Sequence, residues 1–290
     1  MKNNVQTLPP RSLGKLLDDT FAIYIRKIWR FIALAAIVEA PLLLVLMGFD
    51  LIWGTGPLMF GGTLALFLLG STIVNGSVTF AVGQQYLTGE VGIGSSLRRA
   101  WWRILTLMGL SIVLAATLVL IPLLLINFGP LLLGSLGWLV ILPMVPLVIG
   151  LAVYWFVAVQ AVVVEDLKIL DSLKRSYLLV QGSWIRVFGF SMILGLTSLG
   201  LGILVTVPIT LPLWISASPT DSILSIVLLS TSQLAVRTTV LPLIFIANTL
   251  LYYDLRVRKE QYSILKLTQD MNIAPANCDT KNMSAALAAE

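Results

Sequence analysis

Glu39 and Arg237 are ionisable residues that stand deep inside long apolar stretches of this chain, and their types and positions make them the first groups to consider for chemistry. A charge at membrane depth is costly, so one that is kept there pairs with another charge, lines a wet pathway or relays protons. Counted from the cytoplasmic end of its own stretch, Glu39 lies about 8 residues in and Arg237 about 15, a difference of roughly 10 Å at the helical rise. A long arginine side chain narrows that gap. The two residues form a candidate intramembrane polar network. An ion pair, or separate hydrogen-bonded networks, that fixes helix packing is favoured, with a transport pathway as the alternative.

Catalysis has little else to draw on. The 290 residues include no histidine and one cysteine, Cys278, whereas most zinc, copper, haem and iron–sulfur sites are built from clusters of those residues. No cofactor or metal is expected. A hydrolase needs a base, a nucleophile or a metal in mutual reach, and the serines and threonines here lack such partners. Pro41, Pro122, Pro143, Pro146, Pro208, Pro212 and Pro242 fall within or near apolar stretches. Freed carbonyls at such points could line a substrate site, but tolerated kinks are favoured. Asn75, Gln84, Gln85, Gln160, Gln233 and Asn248 read as interhelical hydrogen-bonding groups, and Gly61-Gly62 and Gly200-x-Gly202 as points of close packing. Neither glycine pair follows a strand, so neither is a phosphate loop.

The elements that position these residues are membrane spans. Hydrophobic residues make up 58% and charged residues 11% of the chain, against roughly 25% charged in soluble proteins. Apolar runs longer than the ~20 residues needed to cross a hydrocarbon core recur along the sequence. The fold class is therefore all-α, a polytopic helical membrane protein with six transmembrane helices at about 31–53, 58–87, 104–126, 136–163, 187–213 and 223–252. Between Arg103 and Glu165, 61 residues carry no charge. Two crossings there, with Asn127, Gly129 and Pro130 in the outer turn, keep the basic connector of Lys168, Lys174, Arg175 and Arg186 inside.

Of the 19 Lys and Arg residues, 18 fall in the N-terminal segment, the connectors at 88–103 and 164–186, or the C-terminal tail. By the positive-inside rule both termini and both connectors are cytoplasmic, in a multi-pass protein of the cell membrane. The net charge of +5 comes from these short clusters and forms no continuous basic stripe, so nucleic acid is not an expected partner. The lipid bilayer is one, and a second membrane protein is another candidate. Residues 1–30 read as a cytoplasmic amphipathic segment, 31–255 as the six-helix membrane domain, and 256–290 as a cytoplasmic tail, disordered after about 273.

A threefold internal repeat of two-helix units is a further expectation, each unit preceded by an interfacial amphipathic helix. The units start at Ser12-Leu13, Ser96-Leu97 and Ser172-Leu173, and pass through Trp-containing basic boundaries at 28–32, 101–105 and 183–189. Their second helices end on Phe80, Phe156 and Phe245, followed by Glu90, Glu165 and Asp254. Shared membrane rules alone could produce such likeness. In the first amphipathic segment Leu13, Leu16, Leu17, Phe21, Tyr24 and Ile28 share one face, which either packs on the spans or contacts lipid.

The stretches SLGKLLDDTFAIYIRKIW at 12–29, SLKRSYLLVQGSWIRVFG at 172–189 and LLYYDLRVRKE at 250–260 resemble the membrane-domain family named after glycerophosphoryl diester phosphodiesterase, over about 10–260. The resemblance implies a helical membrane domain without the separate phosphodiesterase domain that follows it in some relatives. The expected role is a non-enzymatic accessory or envelope-assembly component, with a small-molecule or lipid transporter as the alternative.

Overall fold

The structure is a computed structural model that describes residues 11–53, 57–125, 128, 141–216, 223–260 and 270, with side chains described for all of these except 50–53, 57–65, 141, 214 and 216. The expected outer loops near 50–57, 127–135 and 214–222 fall largely outside the described residues, as do Trp138, Ser218 and Cys278.

The described residues form helices joined by short turns. They are α1 (Leu13–Arg26), α2 (Ile28–Trp53), α3 (Pro57–Thr88), α4 (Ile93–Trp102), α5 (Ile104–Ala115), α6 (Ile141–Tyr154), α7 (Ala158–Glu165), α8 (Ile169–Val180), α9 (Trp184–Ser216) and α10 (Ile223–Glu260). After α5 the same rod continues through a π-helical turn at Ala116–Leu120 and on to Leu125. Among the described residues, six segments are long and apolar enough to cross a membrane: Ile28–Phe49, Leu66–Thr88, Ile104–Leu125, Leu142–Glu165, Trp184–Leu213 and Ile223–Glu260. The chain is thus an all-α, multi-pass membrane protein, in which helices satisfy the backbone groups that lipid cannot.

Proline does not end these spans. Helices run on through Pro41, Pro146, Pro208, Pro212 and Pro242. The fourth span instead breaks at the turn Trp155–Val157, where the Ala158 amide bonds the Trp155 carbonyl at 3.1 Å. The last helix continues to Glu260, with Tyr252, Tyr253, Asp254 and Arg256 buried near its end and α1 and α8 packed against it.

The spans are arranged in two shells. The second, fourth and sixth bury more of their surface than the first, third and fifth. The inner shell is α3, α7 and α10, which touch one another. Their facing surfaces carry small and polar residues, including Gly76, Ser77 and Ala81, then Ala158 and Ala161, then Ala247 and Thr249. Lipid supplies no hydrophobic drive between helices, so close approach of small side chains is what holds such a core. Each outer helix touches the preceding unit, α2 on α10, α5 on α3 and, more lightly, α9 on α6, while α9 packs chiefly on α10. The short helices do the same, with α1 on α10, α4 on α3, and α8 on α7.

Each unit therefore consists of a short helix, a sharp joint and two spans. The joints fall at Lys27, at Arg103 and at Gln181–Ser183, the last turned by Gly182 with φ at 83°. Immediately before the boundary arginines Arg30, Arg103 and Arg186 stand Trp29, Trp102 and Ile185, which are 79%, 79% and 81% exposed. This equal exposure recurs at the same place in all three units.

The expected register of the repeat needs correction. Ser12 caps α1 by accepting from the Lys15 amide, whereas Ser96 and Ser172 are buried inside α4 and α8 and donate to the carbonyls of Gly92 and Ile169, each at 2.7 Å. The boundary arginine, and not the Ser-Leu pair, aligns all three units. Of the face expected of α1, Leu13, Leu16, Leu17, Tyr24 and Ile28 pack on the core and Phe21 does not. Leu16, Thr20 and Tyr24 are buried, while Phe21, Ile25 and Trp29 form an exposed row, so the helix packs on the spans with one face and leaves a second apolar row uncovered.

Candidate functional site

Arg237 on α10 donates from Nη1 to Oε2 of Glu39 on α2 at 3.1 Å. The Glu39 side chain is fully buried and that of Arg237 is 10% exposed. Helical geometry brings the expected depths together through the length of the arginine, whose guanidinium carbon lies 4.8 Å from the centroid of the Phe67 ring on α3. A cation over an aromatic face recovers part of the lost hydration.

Space for the carboxylate comes from Gly70. A Cβ at that position would stand 2.7 Å from Oε1 of Glu39 and 2.9 Å from a Leu42 methyl, closer than packed atoms sit. Oε1 has no hydrogen-bond partner among the described residues. A charge pair so buried contributes little net stability once desolvation is counted, but breaking it leaves a lone charge in an apolar seam. Near this pair, Tyr24 of α1 donates its hydroxyl to the Thr239 carbonyl at 2.8 Å. Burial pushes the Tyr24 hydroxyl above its usual range, so it stays a donor.

The inner shell has a polar centre. Gln160 on α7 donates to Oδ1 of Asn75 on α3 at 3.2 Å, and Thr249 on α10 donates to the Thr79 hydroxyl at 3.2 Å. These are the interhelical bonds expected of Asn75 and Gln160. Other expected polar contacts divide differently. Gln84 accepts from the Gly92 amide and Ser95, holding the turn into α4, and Gln233 faces outward. Gly200 and Gly202 meet no neighbour within 4 Å of a built Cβ, so they are not points of close packing.

At the basic end of the bundle each boundary arginine meets an acid from the end of its own unit. Arg30 binds Glu90, joined by Lys27 at 3.4 Å. Arg103 binds Asp166 at 2.8 Å, joined by Arg99 at 2.9 Å. Arg186 binds Asp254 at 2.8 Å, joined by Arg258 at 2.9 Å and by the Arg11 amide at 2.8 Å. The acid of the second unit is therefore Asp166, not the expected Glu165. Asp166 lies in the left-handed region with φ at 54°, which ends α7 and swings its carboxylate toward α4.

Comparison of the chain with protein-family models, with curated proteins and with solved structures finds no match. The geometry alone carries the functional argument.

Glu165 belongs to a second cluster that ties units two and three. It accepts both Nε contacts of Arg175, at 3.0 and 2.9 Å, and the hydroxyl of Tyr252, with Arg256 at 3.4 Å. Arg175 also reaches Glu260 at 2.5 Å, and Arg256 reaches Asp270 at 2.7 Å. Sequence reasoning had the boundary arginines and the terminal acids but not their pairing. The signal was the near-constant separation of 60, 63 and 68 positions within each pair. Among the described residues no group of three or more potential ligands could hold a metal ion. The acids named here are engaged by guanidinium, ammonium or hydroxyl donors, an arrangement suited to holding helices together and poorly suited to general-base work.

Proposed function

We propose that this protein is a non-enzymatic integral component of the cell membrane, an accessory or envelope-assembly protein, with both termini in the cytoplasm. The Glu39–Arg237 pair acts in it as a packing tie between α2 and α10. The observation that carries this reading is the enclosure of that pair: a fully buried carboxylate, its arginine under Phe67, and the Gly70 backbone closing the remaining side. The clustered Lys and Arg at one end of the bundle support the orientation.

A small-molecule or lipid transporter is the second reading, favoured by the unpartnered Oε1 of Glu39. The two separate in proteoliposomes. A packing tie gives no solute or proton flux above protein-free vesicles, and Glu39→Gln lowers thermal stability. Flux that vanishes in Glu39→Gln, with stability retained, would replace the first reading by the second. Glycerophosphodiester hydrolysis by the purified protein, tested with added divalent metal, is not expected, since a family resemblance cannot supply an acid, base or metal site.

A further inference from the structure

Two grooves on the outer surface share one design. The first, about 590 Å³, is lined by Pro41, Leu69 and Ile73 of the spans and by Leu97, Arg98 and Trp101 of α4. The second, about 550 Å³, is lined by Pro146, Gly150 and Leu151 of α6 and by Leu173, Lys174 and Tyr177 of α8. Both volumes fall within the ~300–1,000 Å³ of small-molecule sites. In each, the short helix supplies a leucine, a cation at the next position and an aromatic three further on.

The sequences SLRRAW at 96–101 and SLKRSY at 172–177 set this out. The buried serine of each anchors its helix. The second basic residue, Arg99 or Arg175, is consumed by Asp166 or by Glu165 and Glu260. The first, Arg98 or Lys174, is exposed, faces the groove and has no acidic partner among the described residues. The first unit lacks the pattern. In the register of the buried faces, Leu16 of α1 stands where Ser96 and Ser172 do, which places Asp18 where the free cation would stand.

We propose that these grooves are two binding sites for an anionic phospholipid of the surrounding membrane. An acyl chain lies in the apolar trough between the short helix and the span or spans beside it, and the headgroup phosphate is held by Arg98 in one site and Lys174 in the other. Charge complementarity selects the ligand: a cation left unpaired at the membrane surface, at the mouth of an apolar slot, fits a negatively charged headgroup with its chain attached. Trp101 and Tyr177 sit where amphipathic rings flank headgroups. This site assignment is independent of whether the protein is an accessory component or a transporter.

The test is native mass spectrometry of the full chain, released from detergent with added phosphatidylglycerol or phosphatidylcholine. Wild type should retain up to two phosphatidylglycerol molecules, with phosphatidylcholine retained about fivefold less, the Boltzmann equivalent of one headgroup–cation contact. Arg98→Gln and Lys174→Gln should each weaken phosphatidylglycerol retention at one site about fivefold, and the double variant at both. Gly150→Leu should also lose one site by filling the second groove, since a Cβ at Gly150 meets nothing within 4 Å and packing is spared. Arg26→Gln removes an exposed cation of α1 that lines neither groove, and should retain both lipids. Equal retention of the two lipids, loss in Arg26→Gln as large as in Arg98→Gln, or full retention in the double variant overturns the proposal. Thermal unfolding of each variant establishes that lost lipid is not lost fold.

Discussion

Glu39 and Arg237, 198 positions apart in the chain, meet through one hydrogen-bonded ion pair that no solvent reaches on the carboxylate side. Removing one partner strands the other. Glu39→Gln and Arg237→Gln should each destabilise the protein in detergent by about 3–5 kcal/mol, while the double variant should lose clearly less than the sum. Thermal or denaturant unfolding of the four proteins measures this. Additive losses would mean that the two side chains do not share an energetic pair.

Gly70 should be nearly irreplaceable for the same reason. Gly70→Ala would place a Cβ against Oε1 of Glu39 and a Leu42 methyl, at a cost of about 1–3 kcal/mol for overpacking. In a Glu39→Ala background the carboxylate that creates most of the conflict is absent, so the added cost should shrink. A full cost in both backgrounds would show that Gly70 serves something other than the carboxylate.

The three boundary pairs should differ in weight despite their shared geometry. Asp254 is 1% exposed and serves Arg186, Arg258 and the Arg11 amide together. Breaking it with Asp254→Asn should cost several kcal/mol, about 3–5 by the measure of buried ion pairs. Arg30 and Glu90 are largely open to solvent, so screening leaves that pair little to contribute. Equal losses from Arg30→Gln and Asp254→Asn would contradict the burial difference.

Glu90 provides a pH signature outside the spans. The hydrogen bond from Arg30, with Lys27 beside it, holds its carboxyl below the ordinary value of 4.5. A carboxylate depressed in the folded state stabilises fully above its unfolded value, and that contribution fades as pH falls through the folded value. Glu90→Gln should therefore leave the stability curve parallel to wild type above pH about 4.5 and differ in slope only below it. A slope difference confined to neutral or alkaline pH would be inconsistent with the Arg30 contact.

Orientation is open to direct labelling. With Cys278 removed, single cysteines at Gly54 or Ser218 should react with an impermeant thiol reagent added outside cells, and one at Ser95 should not. Outside labelling at Ser95 would reverse the proposed topology, since Ser95 opens the basic connector whose charge motivates it.

The six spans were legible in the sequence because lipid imposes a simple rule: a helix that must satisfy its own backbone in hydrocarbon needs an apolar run of fixed length. The clustering of Lys and Arg, and the depth of Glu39 and Arg237, followed from the same linear reading. Which helix lies inside which was not legible. Apolar side chains that face lipid and those that face another helix have the same chemistry, so periodicity does not separate them, as the exposed Leu196 and the buried Leu250 illustrate. The role of Gly70 was equally hidden, for its meaning lies in a carboxylate on another helix. Only the tertiary structure decided that Arg103 pairs with Asp166 and not Glu165, because a single left-handed residue at the end of α7 turns one acid toward α4 and leaves its neighbour to α8 and α10. Composition and charge order along the chain determined that this protein lives in a membrane and crosses it six times. Side-chain reach across helices, a property of three dimensions, decided which of its charges are partners and which remain free at its surface.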